Sequence, residues 1–259
     1  MLAKLNPSQQ NFDVSFPTEI TAQKTEYLFE WVDSLKVLQE VQRFRAQQFS
    51  EQFGVNFPQQ LDQDLYDFGC EHAVLRNKET REIIAYTRLK MFQGHELAQS
   101  YSAQEFQVFP QLSHLDNVVE MGRVCVHSRY RSGKALSTLW LNLIPKVLWG
   151  MRAKYLIGCV SIRWEGNQSR AYHTHQYLQQ LDPARTVDIQ PLQAFEPRLN
   201  DTILVQDEKI PKLFDVYLEM QAKLSKQAYL DQQFNCLDYF VLLEVKKMAR
   251  NFMLQQKAG

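Results

Sequence analysis

Glu120 and Arg123 are the residues in this chain whose types and spacing most readily do chemistry together. They lie in the run Glu120-Met121-Gly122-Arg123-Val124-Cys125-Val126-His127, an apolar strand with a charged pair at its start. A carboxylate there can act as general base toward an attacking amine, with the guanidinium orienting a carboxylate or holding a loop. Three apart on a strand, the two point to opposite faces unless the intervening Gly122 marks a bulge. On spacing alone a structural salt bridge is the simpler reading. A bulged, splayed strand is also where an extended thioester arm can lie and hydrogen-bond like a further strand.

Directly after it comes the basic turn Arg129-Tyr130-Arg131-Ser132-Gly133-Lys134, which opens a helix. Backbone N–H groups at a helix start, flanked by arginines, form an anion site. The anion expected is the phosphate of a phosphopantetheine arm, with Arg131, Ser132, Gly133 and Lys134 around it and Val124, Cys125 and Val126 along the arm. That points to acyl transfer from a thioester. A solvated basic surface is the competing reading.

Asp64 and Asp67 stand three apart in a loop and could neutralise a substrate ammonium or take a hard cation, although such pairs are commonly solvated. Arg88 is less ordinary: a charge inside the apolar strand Ile83–Leu89 needs a partner, and Asp64 or Asp67 is a candidate. His173 and His175 are two apart on an expected helix and diverge, so with His127 they make a poor metal set, and no metal is expected. The serines form no nucleophile elbow. The four cysteines are widely spaced without a Cys-x-x-Cys pair, which fits a reducing cytoplasm better than a disulfide framework.

These residues must be positioned by a mixed α/β architecture. Tyr27–Val32 reads as a strand; Asp33 or Ser34 caps a helix running to about Phe53. A hairpin turns at Asn77-Lys78-Glu79-Thr80, between His72–Arg76 and Ile83–Leu89. A strand over Val118–Val126 leads into a helix over 132–151, then a strand over Tyr155–Ile162 and a helix over Ser169–Leu181. Ile210–Leu224 is expected as a helix and Asp238–Val245 as a closing strand. The expected layout is a polar lead-in at 1–24, one domain over 25–250 and a short tail at 251–259. Lys plus Arg and Asp plus Glu balance at 29 each in 259 residues, so no global field favours nucleic acid. No apolar stretch reads as a membrane span or a secretory segment.

Taken together, the motifs resemble the GCN5-related acyltransferase superfamily, and within it the acyl-carrier-protein-dependent ornithine lipid N-acyltransferases. The matching pieces are Gln42–Phe49, Asp64–Gly69, Glu82–Leu89, Tyr101–Phe106, Glu120–His127 with Tyr130–Gly133, and Tyr155–Ile162. The resemblance implies a GNAT-like fold: a central mixed sheet flanked by helices, with middle strands splayed to admit the thioester. It implies no resident cofactor, an acyl-carrier-protein thioester as co-substrate and an amino acid amine, ornithine first, as acceptor. Peripheral contact with the inner membrane is expected with it. Acyl-homoserine lactone synthases share the Glu-x-x-Arg strand motif at Glu120 and Arg123. Their paired loop aspartates and strand arginine match Asp64, Asp67 and Arg88, which makes these acceptor-site residues. The acetyltransferase pyrophosphate loop would need small residues where Lys134 and Leu136 stand, which favours a carrier protein over acetyl-CoA. Two alternatives remain: another amine acceptor, as in the lactone synthases, or a module that binds acyl carrier without catalysis.

Overall fold

The computed structural model describes residues 26–131, 133–166, 168–197 and 209–248. The expected lead-in and tail, and Ser132 of the basic turn, lie outside the described residues.

β1 (Tyr27–Trp31) leads to α1 (Leu35–Phe53). The Ser34 side chain accepts a hydrogen bond from Val37 N, and Gly54 closes the helix at φ 76°, a left-handed backbone that glycine adopts without a Cβ penalty. Val41, Phe44, Gln48 and Phe49 recur at three- and four-residue spacing and form its buried face, together with Gln42 and Arg45. Strands β2 (Glu71–Asn77) and β3 (Ile83–Phe92) form the expected hairpin. After a run of short helical turns, including α2 (Val108–Gln111), comes β4 (Val118–Val126). It is followed by α3 (Lys134–Pro145), a π-type turn over Lys146–Gly150, β5 (Tyr155–Arg163) and α4 (Gln168–Gln179). The two-residue β6 (Thr186–Val187), α5 (Lys212–Glu219), β7 (Lys223–Ser225), β8 (Tyr229–Asp231) and β9 (Cys236–Glu244) complete the described chain.

Two expectations need correction. The helix anticipated over Ile210–Leu224 stops at Glu219, and Leu224 lies in β7 beside β9. The helix anticipated to Met151 changes to the wider π turn after Pro145, whose missing N–H cannot continue the α ladder.

Among the described residues nine strands join one sheet, in the order β1-β2-β3-β4-β5-β9-β7-β6, with β8 also on β9. Most neighbours are antiparallel; β4 with β5 and β6 with β7 are parallel. Alternation along β2 explains the layering: Ala73 and Leu75 join the core that contains α3, while Val74 joins the core that contains α1.

The feature that matters for function is where β4 and β5 part. They pair only over Val118–Glu120 with Tyr155–Ile157. At that point a Cβ on Gly158 would stand 2.5 Å from the Met121 carbonyl oxygen, so only glycine permits the approach. Beyond it β5 keeps its pairing with β9 to Arg163, whereas β4 follows β3. The splay expected from the resemblance is present.

Candidate active site

A cavity of about 300 Å³ fills the gap between the parted strands. Met121–Val126 of β4 line one wall and Gly158–Arg163 of β5 the other. An apolar annex of about 90 Å³ adjoins it, lined by side chains such as Leu143, Ile144, Val147 and Leu156. Met121, Trp140, Gly158 and Tyr217 line both spaces.

Glu120 and Arg123 both reach the cavity. The β3–β4 register slips there: two residues, Arg123 and Val124, stand opposite the single Thr87. Gly122 is not the left-handed residue; Arg123 is, at φ 53°, a conformation costly for a residue with a long side chain. The surrounding ion pairs hold it there. Glu120 lies at the last position where β4 pairs with β5, and its carboxylate is gripped by the turn Tyr101–Gln104. Tyr101 N donates to Oε2 at 2.8 Å; Ser102 N and Ser102 Oγ donate to Oε1 at 2.7 and 2.6 Å. Three of about four acceptor directions are thus taken, leaving one for a substrate proton or a water.

Behind the cavity lies a network of three guanidiniums and three carboxylates. Arg45 on α1 has no solvent exposure and donates to Asp62 Oδ2 at 2.9 Å and to Asp67 Oδ1 at 2.6 Å. Arg88 on β3 donates to Asp64 at 2.5 Å and Asp67 at 2.7 Å. Arg123 donates to Asp64 Oδ2 at 3.0 Å and stacks over Tyr101 and Phe234. Burial alone would raise the Asp67 pKa, but the Arg45 hydrogen bond and charge, with Gln42 and Arg88, hold it well below the usual carboxylate range. Asp64 shows the same opposition of burial and Arg88, with the same outcome. His72 is pushed down by burial; its ring nitrogens face Tyr86 Oη at 2.6 Å and the Asp67 carbonyl at 2.9 Å.

Residues 44–141 match the family model described as the acetyltransferase (GNAT) domain. The L-ornithine N(alpha)-acyltransferase of Rhodobacter capsulatus is 26% identical over 239 residues, covering 84% of this chain and 91% of the relative. The enzyme of the same name from Brucella abortus is 24% identical, covering 85% of each. The solved structure of an N-acyl amino acid synthase from uncultured soil microbes is 9% identical. It superposes with a TM-score of 0.52 over 89% of this chain and 97% of that one. These likenesses support an acyltransferase, with residues 44–141 similar to the GNAT domain.

Of the residues singled out in the acyltransferase sequence, Glu120, Arg123, Val124, Cys125, Val126 and Arg88 meet at the cavity. Asp64 and Asp67 do not line it; their carboxylates are taken up by Arg45, Arg88 and Arg123. They set the guanidiniums. Gly133 caps α3 at φ 96°. Arg131 Nε donates to the Val126 carbonyl at 3.2 Å, and Lys134 Nζ lies over the Tyr27 ring. None of these three lines the cavity. His175 is committed to Tyr239 Oη at 3.0 Å, and His127 lies 3.3 Å from Glu82.

Sequence reasoning missed one group altogether. Glu105, Asp231 and Asp238 also line the cavity, with Cys159 and Cys236 beside them. Burial, then the neighbouring Asp238, drives Glu105 well above the usual carboxylate range. Burial lifts Asp238 to about 7. A usable signal existed: Asp238 interrupts the apolar run Cys236–Leu243 just as Arg88 interrupts β3. Among the described residues no helix is long and apolar enough to cross a membrane.

Proposed function

We propose that this acyltransferase moves a 3-hydroxyacyl chain from an acyl-carrier-protein thioester to the α-amine of ornithine. The observation that carries the reading is the opening between β4 and β5, one cavity with a polar, ionisable wall and an apolar annex. The relatives named as ornithine acyltransferases supply the acceptor.

In this mechanism the pantetheine arm lies along β4 from Met121 to Val126, on the edge that β5 has left while β3 keeps the other. Burying the acyl chain in the annex contributes about 0.8 kcal/mol per methylene. Glu120, through its remaining acceptor direction or a water, takes the proton from the amine. The nitrogen then attacks the thioester carbonyl carbon, backbone N–H groups of Arg123–Val126 steady the oxyanion, and the C–S bond breaks. The amide remains and the pantetheine thiol leaves with a proton. Arg131, Gly133 and Lys134 hold the phosphate from outside the cavity, and Arg88, set by Asp64 and Asp67, shapes the acceptor side. Arg131 and Lys134 add positive charge that favours an acidic carrier protein.

Turnover with ornithine, compared between 3-hydroxyacyl carrier protein and the same acyl group on coenzyme A, tests the donor. The carrier thioester is expected to give the higher kcat/KM by at least about tenfold, or 1.4 kcal/mol. An equal or better rate with coenzyme A would remove the carrier protein from the account.

A further inference from the structure

Among the described residues, cavity-lining side chains with a buried polar atom that lacks a hydrogen-bond partner include Arg88 (Nη2), Glu105 (Oε2) and Arg123 (Nε), the last still 3.5 Å from Asp62 Oδ2. Arg88 is 3% exposed and Glu105 is 5% exposed. Leaving such groups unpaired costs free energy, so each implies a partner that arrives with the substrate. A guanidinium nitrogen calls for a carboxylate; a carboxyl oxygen calls for a cation or other donor. The cavity therefore carries complementary sites for both ends of an amino acid that has a second, positively charged group.

The Glu105 end is not a single side chain. Asp231, Cys236 and Asp238 place one polar atom each within 4.8 Å of one another, and Glu105 couples electrostatically to both aspartates. Asp231 Oδ1 is occupied by Gln233 N and Phe234 N at 2.8 and 2.9 Å, leaving its other oxygen. Cys236 Sγ lies 3.4 Å from Asp238 Oδ1, and Cys159 lines the same cavity as Glu105. Three carboxyls gathered in a buried pocket repel one another in the ionised form. An ammonium relieves that repulsion and gains several oxygen acceptors at once.

We propose that Glu105, Asp231 and Asp238 seat the side-chain ammonium of a dibasic amino acid whose α-carboxylate binds Arg88 Nη2. This rests on the amino-acid acceptor proposed above and adds what selects it. With both ends held, the α-amine is presented between them toward Glu120 and the thioester. Neutral amino acids bring no charge to engage the three carboxyls and bind less tightly. Because burial keeps protons on Glu105 and Asp238 in the empty site, seating the ammonium expels protons to solvent. The groups facing that site are Arg123 on β4, Cys159 and Ser161 on β5, Asp231 on β8 and Cys236 on β9.

Calorimetric binding to the full chain, without acyl donor, tests this using ornithine and its side-chain-neutral analogue 2-aminopentanoate. Ornithine is expected to bind at least about tenfold tighter and to release protons, read as a dependence of the heat on the buffer's ionisation enthalpy at pH 7. Glu105→Gln and Asp238→Asn should each weaken ornithine about 30-fold while leaving 2-aminopentanoate within about threefold. Equal affinities in the wild type, or equal losses for both ligands, would overturn the proposal. So would tight Zn²⁺ binding abolished by Asp238→Asn, which would assign the cluster to a metal. If either variant fails to fold, the wild-type comparison and its proton release still decide. Selective ornithine binding without any acylated product would sink the proposed reaction and keep this subsite. Acylation of both amino acids at equal efficiency would keep the reaction and sink the subsite.

Discussion

Arg45, Arg88 and Arg123 are three cations held away from water, and Asp62, Asp64 and Asp67 are the reason they can stay there. Removing one member strands a buried charge. Asp67→Ala should therefore cost about 3–5 kcal/mol of stability, read by chemical denaturation; a loss below about 1 kcal/mol would mean that water or another group replaces the aspartate. Glu120→Gln keeps the shape but turns an acceptor into a donor against Tyr101 N or Ser102 N. Turnover should fall about 10²- to 10⁴-fold with carrier affinity within threefold. Unchanged turnover would refute Glu120 as base. Much of this was legible in the sequence. Arg88 needed a partner because it interrupts an apolar strand, and Asp64 and Asp67 were its named candidates. Arg45 was not singled out, because a single cation at a core spacing of a helix looks like a face residue until the loop folds over it. Glu105, Asp231 and Asp238 escaped because three carboxyls on separate elements have no common spacing.

The strands that part were visible as elements, and β4 ends where its apolar run ends. What the one-dimensional pattern withheld was the point of divergence. That depends on Gly158, whose missing Cβ lets the Met121 carbonyl approach before the strands separate. Gly158→Ala would put a methyl 2.5 Å from that oxygen. The backbone must shift, with an expected cost of about 1–3 kcal/mol and loss of most activity. A variant with wild-type melting temperature and rate would show that the junction is slack. Glycine is the usual occupant of a bulge, which singles out Gly122 in the sequence; in the fold Arg123 takes the left-handed backbone, held by its ion pairs. The overlong helix at Ile210–Leu224 fails for a related reason: Leu224 fits an apolar helical face, but it is recruited to pair with β9.

At the scale of the whole molecule, the buried acids pull stability in opposite directions with pH. Asp64 and Asp67 titrate below their ordinary value of 3.8 in the folded state, so their stabilisation is complete above that pH and is lost as pH falls through the folded values. Asp238 titrates near 7 against an ordinary 3.8, so the folded state holds its proton longer. Stability from that group is complete below 3.8 and declines as pH rises toward 7. The melting temperature should accordingly peak under mildly acidic conditions, and Asp238→Asn should flatten the decline between pH 5 and 8. A variant curve parallel to wild type would contradict the burial cost assigned to Asp238. The same arrangement that burdens the empty fold at neutral pH prepares it for a cationic acceptor.

The most direct measurement is mass-spectrometric identification of product after the purified chain meets 3-hydroxyacyl carrier protein and a pool of ornithine, lysine, glycine and 2-aminopentanoate. The account predicts N-acylated ornithine as the dominant product, formed with release of free pantetheine thiol on the carrier. Silence with carrier thioesters, together with acetylation from acetyl-CoA, would contradict it.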